Sequence, residues 1–233
     1  MLASQQEISL FAGILDFEIR SIVANKGGNA GSVTVKMRGS KLEEFMDVSL
    51  QNGTDTITAT SIHYIDPTEV YLTFDLDGAS LGFYDVVAIG HSIVTDYVVL
   101  DSVTTVEFTS LVEVSDILEN GFEVVTSGLP NLQINVIQPA NTRTNSVVSM
   151  SIEFTNAGTI DLTATTLLLN SLAGTPLSLT VSGLAALLTE LEIVLSETGG
   201  PPGILRPGVS GSIVIYSKST AGLGFSLTLP NTY

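Results

Sequence analysis

Apolar and polar side chains alternate with period two along most of this chain. In "SVTVKMR", Val33, Val35 and Met37 fall on one side, and Thr34, Lys36 and Arg38 on the other. The same rhythm returns at 56–65, 69–76 and 83–89, separated by Asn-Gly, Asp-Pro and Asp-Gly pairs. Alternation places successive side chains on opposite faces of a strand, and those dipeptides mark turns. Short strands punctuated in this way predict an all-β sandwich. No strand–helix–strand alternation is visible, which argues against a parallel α/β sheet.

The best boundary in the pattern is at "VVTSGLPNLQINV". Val124 and Val125 end a strand, Ser127-Gly128 interrupts it, Pro130 restricts the residue before it, and a new alternating run begins at Leu132. The grammar then repeats at 146–158, 165–170, 176–181, 211–217 and 224–230. The expectation is two tandem β-sandwich domains, 1–128 and 129–233, each of ordinary domain size. A connection as short as Ser127 to Asn131 predicts a fixed or narrowly hinged angle between them. One stretch departs from the rhythm. In "LAALLTELEIVL", Leu184, Leu187, Leu188 and Leu191 are spaced as one face of a helix. It reads as a short crossover helix over one end of the second sandwich, with a partner-binding helix as the alternative.

Composition narrows the function classes. The 233 residues are 44% hydrophobic and only 14% charged, too apolar for a disordered chain. No apolar run reaches the length of a membrane-spanning helix. The net charge of −16 repels phosphate backbones and argues against nucleic acid as a partner. With no cysteine there are no disulfides, thiolate metal sites or thiol nucleophiles. The opening "MLASQQEISLFAG" lacks a cationic segment and a cleavage site, so it does not read as a signal peptide. The expectation is a piece of a longer exported protein whose signal lies elsewhere.

Candidate chemistry fails on context. Gly27, Gly28 and Gly31 precede a strand, whereas a phosphate-binding glycine loop follows a strand and opens a helix. They read as a sharp turn that admits positive φ. Asp75, Asp77 and Gly78 could begin a calcium loop, but Val86 stands where an EF-hand requires Glu. Asp66, Glu69 and Asp85 lie nearby in sequence; solubility is the preferred reading of these acids, and a weak calcium site the alternative. His63 reads as a solvent-face strand residue and His91 as a loop residue, too far apart for a metal motif. "GVSGS" at 208–212 is not a nucleophile elbow, since glycine follows its serine directly. The lack of Trp makes a sugar-stacking cleft improbable. Asn52-Gly53-Thr54 is a formal glycosylation sequon that reads as a turn. Lys36 lies on the polar face of its strand, which argues against a buried isopeptide crosslink. No catalytic, cofactor-binding or metal-ligating residue is assigned.

Two resemblances add to this. "SIVANKGGNAGSVTVKMRGSKL" followed by "DTITATSIHYIDPTEVYLTFDLDGASLGFYDVVAI" resembles the IPT/TIG type of immunoglobulin-like domain over residues 17–126. "VANK" replaces that family's usual proline, and residues 91–120 are longer than its last hairpin. The resemblance implies a tyrosine corner at Tyr84, whose hydroxyl would tie back to a nearby backbone group. Residues 130–230 resemble, more loosely, the CARDB/APHP-type immunoglobulin-like modules of bacterial exoproteins. The matching phrases are "LPNLQINVIQP", "SMSIEFTNAGTIDLTATTLLLNS" and "ILRPGVSGSIVIY".

Together these readings predict a non-enzymatic pair of immunoglobulin-like modules, spacer or adhesive, in a larger bacterial extracellular or cell-surface protein. Their partners would be the other domains of the parent protein. The alternatives are a specific protein-binding module, using 91–120 and the Leu-rich 183–195, and an accessory region of a secreted hydrolase. The segment 98–108 is the sheet edge most open to pairing with a neighbour, with Asp101 and Glu107 as discouraging charges.

Overall fold

A computed structural model describes residues 16–53, 55–99, 105–127, 131–163, 165–172, 174–218 and 225–228. The chain is all-β, as its alternation predicts. Its first half supplies β1 (Glu18–Val23), β2 (Lys26–Gly28), β3 (Ser32–Ser40), β4 (Asp47–Asn52), β5 (Asp55–Asp66), β6 (Glu69–Asp75), β7 (Gly82–Val99) and β8 (Thr105–Val125). They form one eight-stranded curled sheet in the order β1-β3-β6-β5-β4-β7-β8-β2. The long β5 makes the curl: Ala59–Asp66 pairs with β6, while Asp55–Thr58 pairs with β4. The Asn-Gly signal closes the β4–β5 hairpin, with Gly53 at φ +60° where a side chain would be strained.

The predicted inward face is the core of this sheet. Val33, Val35 and Met37 are fully buried and lie opposite Phe74, Leu72 and Val70 of β6. Leu50, Val86, Ala88, Phe122 and Val124 close the cluster from the other wall.

The second half supplies β9 (Leu132–Ile137), β10 (Val147–Asn156), β11 (Leu162–Thr163), β12 (Thr166–Ser171), β13 (Leu177–Ser178), β14 (Glu190–Val194), β15 (Ile204–Leu205), β16 (Ser210–Lys218) and β17 (Phe225–Thr228). The sheet β13-β16-β10-β9 faces β14-β12-β17, and β11 pairs with β15. Ile152, Phe154, Leu167, Leu169, Leu177, Ile193, Leu195 and Ile215 form a second, separate core.

The crossover helix is corrected. Only one 3-10 turn, Ser182–Ala186, occurs there, and Leu187 ends it in the left-handed region. Leu191 instead lies in β14, opposite Leu169 of β12. Strand pairing claimed the C-terminal half of the apolar stripe, leaving Leu187 and Leu188 exposed. Among the described residues no helix is long and apolar enough to cross a membrane.

Residues 91–99 and 105–120 belong to two long paired strands, β7 and β8. β7 and β8 stay paired out to Val99 and Thr105, whereas β4 accompanies β7 only as far as Ile89. The ten-residue remainder of β7 makes an arm of roughly 30 Å at the usual strand rise. Part of the 98–108 segment, residues 100–104, lies outside the described residues, as do 128–130 of the expected linker.

Candidate functional site at the junction of the two halves

One loop of the second half, following β10, sits on the first half, and a buried asparagine shapes it. Asn156 donates through Nδ2 to the carbonyls of Ile160 (2.9 Å) and Leu205 (2.8 Å), and its Oδ1 accepts from Gly158 N–H at 2.9 Å. The loop so held presents three residues in turn. The Thr159 carbonyl accepts from Gly28 N–H at 2.8 Å, Ile160 packs against the first core, and Asp161 N–H donates to the Ser32 carbonyl at 2.9 Å.

This contact explains the glycines that precede β3. A Cβ on Gly28 would come within 2.4 Å of Thr159 Oγ1 and 2.8 Å of the Ser127 backbone. The expectation of positive φ is corrected for Gly27 and Gly28, which lie in β2, paired in parallel with β8. Gly28 is small because the Ser127 backbone and the Thr159 side chain approach it, and Gly27 because the Val33, Leu76 and Phe122 side chains do.

The polar face of β3 is likewise covered at Thr34. Thr34 is fully buried, and its hydroxyl lies 2.6 Å from Asp161 Oδ2 and 2.8 Å from Thr73 Oγ1. Asp161 Oδ1 is buried and has no hydrogen-bond partner among the described residues. Burial pushes the Asp161 carboxyl up to about 6, against the opposing pull of Thr34 and the Arg206 charge. Arg206, 3% exposed, grips Glu197 in a two-pronged pair (Nε–Oε2 2.5 Å, Nη2–Oε1 2.7 Å). Its Nη1 reaches the Val23 carbonyl at 3.5 Å, and its guanidinium lies 5.0 Å from the centre of the buried Tyr71 ring. Arg206 therefore joins the second half to β1 and β6 of the first, through a planar geometry that lysine could not reproduce.

A second cation stands over the same ring. Lys36 Nζ is 4.9 Å from the Tyr71 centroid and 2.8 Å from Glu69, which also holds Arg38 at 3.2 Å. Burial tends to lower the Lys36 pKa, but the Glu69 and Tyr71 hydrogen bonds outweigh it and raise the pKa. The Lys36 hydrogen bond in turn holds Glu69 below its ordinary value. The hydroxyl–carboxylate pair of Thr34 and Asp161 is itself buried. The network is suited to holding two surfaces in one geometry, with Asp161 as its proton-sensitive member.

The acids weighed as calcium ligands are engaged separately. Asp75 Oδ1 accepts from Asp77 N–H at 3.2 Å, an Asx turn. Asp66 Oδ1 accepts from Thr68 N–H and its hydroxyl, and these bonds lower its pKa. Asp85 Oδ1 accepts from Asn120 N–H at 2.7 Å, and Glu69 serves Lys36. Asp75, Asp77 and Asp55 line an open cleft of about 340 Å³ beside Tyr84. Among the described residues no three His, Asp or Glu side chains gather as a metal site would require.

Tyr84 is buried, and its hydroxyl donates to the Ser80 carbonyl at 2.9 Å, the tie expected of a tyrosine corner. Burial raises its pKa. His63 is half-buried near Tyr71 rather than on an open solvent face. His91 is in β7, not a loop; its backbone N–H donates to Glu43 at 3.1 Å. Asp161 and Arg206 were invisible to sequence reasoning. The available signal was that Arg206 is the lone basic residue between Arg143 and Lys218, next to a Pro-Gly turn.

Compared with known protein families, the chain matches no family model, and comparison with curated proteins finds no match.

Proposed function

We propose that this chain is a non-catalytic structural unit of a larger extracellular or cell-surface protein, in which two immunoglobulin-like modules act as a stiff spacer. The observation that carries the reading is the buried polar junction. Backbone bonds at Gly28 and Asp161, the Ile160 contact and the Arg206–Tyr71 contact all oppose bending between the halves. A spacer works by transmitting position, so a defined interdomain angle is its mechanism. The IPT/TIG-like and CARDB-like phrases support the same reading, because modules of those families are mostly spacers and binding units.

Small-angle scattering on the whole chain tests it. A single rigid shape whose profile is unchanged by ionic strength is expected. Profiles that need a broad mixture of interdomain angles would refute the spacer role.

A further inference from the structure

The outer half of the β7–β8 arm offers an unpaired strand edge with apolar residues beside it. At Asp47↔Ile89 the β4 strand ends, and the next outward backbone donor, His91 N–H, is capped by the Glu43 carboxylate. Strand alternation then turns the N–H and C=O of Ile93 and Thr95 to the same free edge. Among the described residues no third strand meets them. Ile93 is 72% exposed and its cross-strand neighbour Leu111 is 68% exposed. Phe45, in the loop leading into β4, is more exposed still. Native edges are usually guarded by charged side chains, proline or a bulge. From His91 to Val99, β7 carries one acid, Asp96, and no lysine, proline or bulge.

Charge selects the occupant. No Lys or Arg occurs between Lys41 and Arg143, a stretch that contains the whole arm and many acids. On the face shared by Ile93 and Leu111, the exposed Glu107 and Glu113 bracket Leu111 along β8. A second copy of this chain would bring the same carboxylates and the same net charge of −16 against them. A partner strand alternating apolar with basic residues instead matches both features. Its backbone would pair with the β7 edge, its apolar residues would cover Ile93 and Leu111, and its cations would lie within screening distance of Glu107 and Glu113.

We infer that the β7 edge of the arm binds an extended, basic–apolar segment of another protein by strand addition. This stands independently of the spacer reading, since an arm can dock a partner whether or not the junction is rigid. The test uses the whole chain and a fluorescent peptide in which lysine alternates with valine. Glutamate–valine and lysine–serine peptides serve as comparisons. The lysine–valine peptide is expected to bind, to weaken with added salt, and to protect the Ile93 and Thr95 amides from hydrogen exchange. Ile93→Lys and Leu111→Lys, checked for unchanged melting, should each weaken binding about tenfold or more, the scale of a contact residue. Leu172→Lys, an equally exposed site in the second half, should leave binding unchanged. Equal binding of the lysine–serine peptide would overturn the inference, as would binding untouched by both arm variants or protection elsewhere. So would self-association of the chain that Ile93→Lys abolishes, which would assign the edge to a second copy. Failure of the lysine–valine peptide to bind would also overturn it.

Discussion

The junction and the arm invert the usual distribution of side chains. At the junction a guanidinium, a carboxyl and the Thr34 hydroxyl are buried, while on the arm isoleucine and leucine face water. The curled sheet contributes strands to both surfaces, β3 and β6 to the junction and β7 and β8 to the arm, so local strand propensity does not distinguish them. What differs is whether a second surface has already arrived. Buried charge tolerates no loose fit, because a member left unpaired keeps its full desolvation penalty. Exposed apolar area has no such geometry to satisfy, and its favourable burial is still available to a partner. The contrast predicts that junction changes damage the fold, and that arm changes do not.

The largest effect is expected from Arg206→Ala. It strips Glu197 of its pair and uncovers Tyr71, and should destabilise the chain by about 3–5 kcal/mol in denaturant titration. A loss below ~1 kcal/mol would mean the junction is not stabilised as described.

Next comes pH. The Asp161 carboxyl titrates at about 6 when folded, against 3.8 ordinarily. The folded state therefore holds this proton more tightly. The resulting stabilisation is complete below pH ~4 and is lost as pH rises through about 6, by about 3 kcal/mol in total. The Glu69 and Asp66 pKa values are lowered, so their contributions have the opposite sign and disappear only on further acidification. Between pH 4.5 and 6.5, stability of the native chain should fall with rising pH, and Asp161→Asn should flatten that slope. Chemical denaturation across this range, comparing the two chains, checks it.

Gly28→Ala is smaller, about 1–3 kcal/mol, since the added methyl overpacks against Thr159 and the Ser127 backbone. The smallest effect belongs to the arm. Ile93→Lys should change the melting free energy by no more than about 0.5 kcal/mol, as for other exposed sites.

How much of this was legible follows from the range of the interactions. The Val33, Val35 and Met37 face could be read because a strand's own alternation declares it. The Asn52-Gly53 turn was equally local, and Tyr84 was placed by resemblance. Thr34 reads as a member of the polar face; its burial depends on Asp161, which lies 127 residues further along. Nothing local could announce that pairing. Gly28 reads as a turn glycine from its local sequence, whereas the neighbour that constrains it, Thr159, is likewise remote. The Leu184–Leu191 stripe misled because periodicity over one short stretch does not know that β12 offers a strand partner.

The central claim, that the buried junction fixes one geometry between the halves, can be tested most directly by a distance. The chain has no cysteine, so Thr58→Cys and Glu192→Cys, both at exposed positions, place two spin labels without background. Pulsed dipolar spectroscopy should give a single narrow distance distribution that broadens when Arg206→Ala is added. A broad distribution in the otherwise native chain, or one that Arg206→Ala leaves unchanged, would contradict the account.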